Sequence, residues 1–138
     1  DRYHSRLLYY YGGLVHMMPV YAALLLIFTM ANIALPGTSS FVGEFLLLLG
    51  IYKTNVISAI VGALGVILCG AYSLWLYNRI IFGNLKTSFI VRFKDINFLE
   101  FSILLPLLFF VIFMGVYPSF FSNFIHLSVC NLSLVTMY

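Results

Sequence analysis

Glu44 is the side chain best placed to do chemistry. It is the single charge among the 36 residues from Met17 to Tyr52. Shortly before it the chain reads Pro36-Gly37-Thr38-Ser39-Ser40. Pro lacks a backbone N–H and Gly is conformationally loose, so a helix does not propagate through this pair. Thr38, Ser39 and Ser40 are good N-cap residues for a new helix. The spacing therefore predicts a carboxyl group in the first turn of a half-helix that restarts after an interruption. Two opposing terms act on such a proton, burial against the charge and the positive helix end in its favour. A group held between them can load and release a proton. The alternative is a structural carboxyl bonded to a neighbouring helix.

The other polar groups are weaker candidates. His4, His16 and His126 are far apart in sequence, so no metal site is expected within the chain. His16 is an interfacial residue or a proton relay at the membrane edge. Lys53 reads as an anchor whose stem lies along apolar surface. Asn32 stands one turn before the interruption and is placed to bond freed backbone groups. Cys69 and Cys130 have no metal spacing and read as packing residues. Asn131-Leu132-Ser133 matches a glycosylation sequon, a pattern short enough to occur by chance. No phosphate loop, nucleophile–base pair or cofactor motif is present. The expectation is no cofactor and no redox chemistry in this chain.

The elements that must hold Glu44 follow from composition. Of 138 residues, 63% are hydrophobic and 8% charged, against roughly 25% charged in soluble domains. Thr54–Asn78 and Phe101–Ile125 each run 25 residues without a charge. A bilayer-spanning helix takes about 20 apolar residues. The expected architecture is all-α and integral to the membrane, with three transmembrane helices, the first broken mid-membrane into two half-helices. A soluble core, a nucleic-acid partner and a disordered chain are excluded. The expected segments are a lead-in over 1–16, the broken helix over 17–52 and a helix over 56–78. A basic loop over 79–100, a helix over 101–122 and a tail over 123–138 complete the chain. The opening Asp1-Arg2-Tyr3-His4-Ser5-Arg6 does not read as a signal peptide.

The first apolar segment is too long for one straight crossing. Met18–Leu35 would be about 27 Å of helix and Ser40–Tyr52 about 20 Å. Their sum exceeds the ~30 Å hydrocarbon core. Irregular backbone at that depth is tolerated only inside protein or beside a wet cavity. An ionisable residue beside a broken helix is the common plan of an ion path. From Lys53, at the expected outer interface, nine residues of helix put Glu44 near the midplane.

Orientation follows from the basic residues. Arg2, Arg6, Arg79, Lys86, Arg92 and Lys94 fall on one side and Lys53 alone on the other. The positive-inside bias puts the N-terminus and the 79–100 loop in the cytoplasm or matrix. Within 56–78, Ser58, Gly62, Val66 and Gly70 recur every four residues, beside Ala59 and Ala63. Such a face lets helix backbones approach closely in lipid. Tyr72, Ser73, Trp75, Tyr77 and Asn78 before Arg79 read as an interfacial anchor. Pro106 is expected to start or kink the last helix, and Gly115-Val116-Tyr117-Pro118 to mark its outer end.

The run Leu35-Pro36-Gly37-Thr38-Ser39-Ser40-Phe41-Val42-Gly43-Glu44-Phe45 resembles a known family. So do Asp1-Arg2-Tyr3-His4-Ser5-Arg6, Gly12-Gly13-Leu14, Ala31-Asn32, Tyr72–Arg79, Gly83-Asn84-Leu85 and Gly115–Pro118. The chain is similar over its whole length to the C-terminal part of the subunit 4 family of respiratory complex I. These are the antiporter-like, proton-translocating subunits of NADH:ubiquinone oxidoreductase, here in a mitochondrial, plant-like form. The resemblance implies that the first helix is the discontinuous helix of the second inverted repeat. It implies that Glu44 is the buried acid of the outer proton half-channel, with Pro36, Gly37, Thr38 and Ser39 supporting it. Related subunits carry Lys at that place.

The family's other proton-path residues belong to upstream helices, so the resemblance implies a fragment. NADH, FMN, iron–sulfur clusters and ubiquinone would belong to the complex as a whole. The implied partners are the other membrane-arm subunits, the upstream part of the same subunit and lipid. The implied location is the mitochondrial inner membrane, multi-pass, with the C-terminus in the intermembrane space. Two alternatives stand beside this: a subunit of a multi-subunit cation/proton antiporter, and a purely structural helix-packing fragment.

Overall fold

A computed structural model describes residues 7–85 and 94–136. Arg2, Arg6, Lys86 and Arg92, counted above for orientation, lie outside the described residues. Two short 3₁₀ turns, Leu8–Tyr10 and Leu14–His16, precede five α-helices. These are α1 (Pro19–Asn32), α2 (Ser39–Thr54), α3 (Val56–Ile81), α4 (Phe98–Val116) and α5 (Pro118–Thr136). No strand occurs among the described residues. The chain is all-helical, and α3 and α4 are each long and apolar enough to cross a membrane.

Helix ends follow local chemistry. Proline occupies the first position of α1 and of α5, where its missing N–H costs nothing and its fixed φ suits the helix. Asn55 lies between α2 and α3 and accepts from the Ile57 N–H at 3.0 Å, so the connection is one residue long. Helix α4, expected from residue 101, starts earlier, at Phe98. A capping box sets that start, with the Asn97 N–H donating to Glu100 Oε2 at 2.9 Å. Pro106 lies inside α4 and starts nothing. Residues 118–136, expected as helix end and tail, form the separate helix α5. Pro118 cannot continue α4 but can begin a helix, and Phe113 stacks edge-on against Phe120 and Phe121 at the corner.

Helix α3 is the rail on which the first two helices lie. Its protected edge is Ala59, Gly62, Val66, Gly70, Ser73 and Tyr77, a helical period. The Tyr77 hydroxyl donates to the Ala22 carbonyl at 3.2 Å. Farther along, Ile33 packs at Gly70 and Leu48 at Gly62. Phe45, Leu48, Leu49 and Tyr52 then share an apolar groove with Ala59 and Ala63. Thus α1 and α2 follow one another, antiparallel to α3, from Tyr77 back to Ala59. That is about 27 Å of α3, close to the ~30 Å of a hydrocarbon core.

The compact core sits at one end, where Leu14, Met18, Ala22, Tyr77 and Ile81 are buried together. The Gly13 N–H donates to the Phe82 carbonyl at 3.2 Å. Gly13 has φ +68°, and a Cβ there would meet the Gly83 carbonyl oxygen at 2.7 Å. Only glycine satisfies both conditions. From the other side, Asp95 caps α1 across the loop. Its Oδ2 accepts from the Val20 N–H at 3.2 Å and its Oδ1 from the Tyr21 N–H at 3.3 Å. The expected anchor group divides: Ser73 and Tyr77 are buried, while Trp75 is exposed with the Arg79 guanidinium 5.7 Å from its ring centre.

Candidate functional site at the helix interruption

Residues 33–38 separate α1 from α2 with backbone bonding that is nearly self-sufficient. The Ala34 N–H donates to Ala31 and the Leu35 N–H to Met30, both at 3.2 Å. That pair of bonds is a Schellman ending, which requires a left-handed residue. Here Ala34 takes that role at φ 62°, a conformation that costs an alanine about 1–2 kcal/mol. A turn follows, with the Thr38 N–H donating to the Leu35 carbonyl at 3.0 Å. Pro36 and Gly37 are its central residues, and Gly37 sits at φ +95°, as a type II turn demands.

Thr38 is the N-cap of α2, but its side chain does not cap. Its Oγ1 donates back to the Leu35 carbonyl at 2.8 Å, closing the turn instead. Ser39 is the first residue of α2 and Ser40 the second. Glu44 is then the sixth residue, in the second turn and not the first as expected. The influence of the helix dipole fades within the first turn, so its hold on Glu44 is weaker than the sequence implied. Glu44 is half-buried and stands one turn before Leu48, on the face that Leu48 turns to Gly62. None of the described groups hydrogen-bonds to it.

Helix α4 packs against one side of the interruption, while Leu35, Pro36 and Gly37 stay exposed. A Cβ at Gly115 would collide with the Gly37 carbonyl and stand 2.6 Å from the Thr38 carbonyl carbon. Sequence reasoning used Gly115 only as a helix-end mark. A glycine in the last turn of an apolar helix, costing roughly 1 kcal/mol against alanine, was the available signal of a close approach. The Asp95 cap was also missed; the signal was an acid directly after Lys94 in a basic loop.

The remaining candidates are dispersed. His16 ends a 3₁₀ turn beside the terminal core, and Lys53 lies in the last turn of α2. Neither is brought to Glu44. His126 and Cys130 face each other on α5, with Sγ 3.7 Å from Nδ1. No group of three His, Cys, Asp or Glu that could hold a metal occurs among the described residues. Asn32 is the last residue of α1, where its carbonyl oxygen lies 3.9 Å from Cys69 Sγ.

A family model for the NADH:quinone oxidoreductase/Mrp antiporter transmembrane region matches residues 1–70, which include α1, the interruption and all of α2. The chain belongs to this family. Among its relatives is NADH-ubiquinone oxidoreductase chain 4 of Marchantia polymorpha, 54% identical over 132 residues. That match covers 96% of this chain and 27% of the relative. NADH-quinone oxidoreductase subunit M of Rhodobacter capsulatus is 48% identical, covering 96% of this chain and 26% of that protein. A chain in the structure of respiratory complex I from Thermus thermophilus with bound NADH superposes with a TM-score of 0.72 at 37% identity. It covers 81% of this chain and 23% of that one. The chain therefore spans about a quarter of the length of the family members it matches.

Proposed function

We infer that this chain is the C-terminal piece of a subunit 4 in the membrane arm of proton-pumping NADH:ubiquinone oxidoreductase. It would cross the mitochondrial inner membrane three times, the first crossing being α1 and α2 in series. Residues 7–21 and 94–97 meet the end of α3 at one side, assigned to the matrix by the basic residues. The C-terminus then faces the intermembrane space. The partners are the upstream part of the same subunit, the other membrane-arm subunits and lipid. Redox cofactors are assigned to the rest of the complex.

Glu44 is the proton carrier in this reading. The observation that carries it is a carboxyl group on α2, one and a half turns past a backbone interruption against which Gly115 of α4 packs. In a bilayer such a group costs on the order of 2.5–3.5 kcal/mol to insert, which favours a role beyond packing. The carboxylate accepts a proton from the polar interior of the subunit and yields it toward the outer face. Quinone reduction elsewhere in the complex supplies the energy.

Glu44→Gln keeps the shape and removes the ionisable group. Assembled complex carrying it should lose most NADH-driven pumping and coupled turnover in proteoliposomes. Wild-type protons per NADH would overturn the carrier role and leave a structural one. Activity confined to cation/proton exchange without NADH would point to an antiporter complex instead.

A further inference from the structure

The three polar groups at the end of α1 have no place in the scheme above. Cys69 Sγ on α3 lies 3.9 Å from the Asn32 carbonyl oxygen and 3.6 Å from the Tyr72 hydroxyl. One S–H can serve only one of these acceptors at a time. A tyrosine that anchors a helix at the membrane surface turns its hydroxyl toward the headgroups. Tyr72 points back by one helical turn, the usual direction for an aromatic on a helix, and so its hydroxyl meets Cys69 beside the end of α1. Its side chain is 58% exposed on this chain, and Asn32 is exposed beside it. The surrounding exposed residues of α3 are apolar, among them Ile67, Leu68 and Trp75. A carboxamide, a hydroxyl and a helix-terminal carbonyl are poorly tolerated against lipid tails. The patch needs water or polar protein over it.

We propose that Asn32, Cys69 and Tyr72 line a water-filled step of the proton path on the matrix side of the interruption, with Tyr72 as its positioning residue. The proposal rests on the reading of Glu44 as carrier. The Tyr72 hydroxyl can donate and accept, so it orients water that reaches the end of α1 and passes a proton toward α2. Asn32 contributes its carbonyl at the end of α1, beside the Cys69 thiol that the hydroxyl meets. Cys69 takes no part in proton transfer; its thiol reports whether water is present.

Two measurements on the intact complex test this. Native Cys69 is treated with a charged trimethylammonium methanethiosulfonate reagent, and the modified peptide is quantified by mass spectrometry. Reaction at Cys69 is expected, because the thiolate forms and the reagent travels only in water. Modification only by a lipid-soluble maleimide, or by neither reagent, would overturn the proposal. In parallel, Tyr72→Phe should assemble, lower proton-coupled turnover by about fivefold, the worth of one hydrogen bond, and displace its pH profile. Wild-type turnover with an unmoved pH profile would also overturn it. Glu44→Gln is read separately: if that variant pumps normally the carrier reading fails, whereas failure at Tyr72 or Cys69 alone leaves it standing.

Discussion

Gly115 of α4 rests directly on the backbone of Gly37. No side-chain atom fits between them, since a Cβ would also stand 2.6 Å from the Thr38 carbonyl carbon. The contact joins a continuous helix to the turn that separates two others. It therefore sets the position of the turn, and through Thr38 the start of the helix that carries Glu44.

Gly115→Ala should destabilise the assembled subunit. Overpacking costs typically about 1–3 kcal/mol, and here the obstructing atoms are backbone, which cannot rotate away. Native electrophoresis across a temperature series should show earlier loss of the complex. Gly65→Ala is the control, because nothing lies within 4 Å of a Cβ there. Equal stability of the two variants would refute the close approach.

Ala34→Gly should act in the opposite direction. Ala34 holds φ 62° to complete the ending of α1, and glycine adopts that conformation without the Cβ penalty. A gain of about 1 kcal/mol is expected, read as a higher midpoint for thermal release of the subunit. A loss would mean that the alanine methyl is needed for packing.

Asp95→Ala should loosen the start of α1, where two backbone N–H groups depend on that carboxylate. Loss of a cap costs about 0.5–2 kcal/mol. Asp95→Asn should restore much of this, because asparagine caps as well as aspartate does. Limited proteolysis of the α3–α4 connection in mildly solubilised complex distinguishes the two. Equal cleavage in the alanine variant and wild type would rule out the cap.

Gly62 offers a graded test of the α2–α3 contact. A Cβ there meets Leu48 Cδ2 at 3.2 Å, the far end of a flexible side chain. Gly62→Ala should assemble normally after a small adjustment of Leu48. Gly62→Leu should not, since its branched side chain would separate the helices. Normal amounts of assembled Gly62→Leu complex would contradict this packing.

Much of the molecule was legible in its residues. The charge-free runs around α3 and α4 announce helices by length and hydropathy. Pro36 and Gly37 announce the interruption because their backbone chemistry is local. The four-residue recurrence of Gly62, Val66 and Gly70 announces the packed edge of α3, whereas Ser58 of the same series is exposed and Ala59 takes its place, as a period of 3.6 requires. All of these are properties of short windows of sequence.

The rest depended on contacts between distant segments. Nothing near Asp95 says that it will cap a helix 75 residues away, because the N–H groups it serves belong to another element. Ala34 was not a visible choice for a left-handed position. Its backbone conformation is imposed by the Schellman bonds and the turn that follows. Tyr72 reads as a surface anchor by its neighbours, and only the fold brings the end of α1 to the Cys69 thiol that its hydroxyl meets. Sequence determined where helices begin, stop and bury small residues, since those are decided by backbone propensity and periodicity. Tertiary structure alone decided which glycine bears on which carbonyl and which polar group meets the interruption, since those depend on the distance between helices.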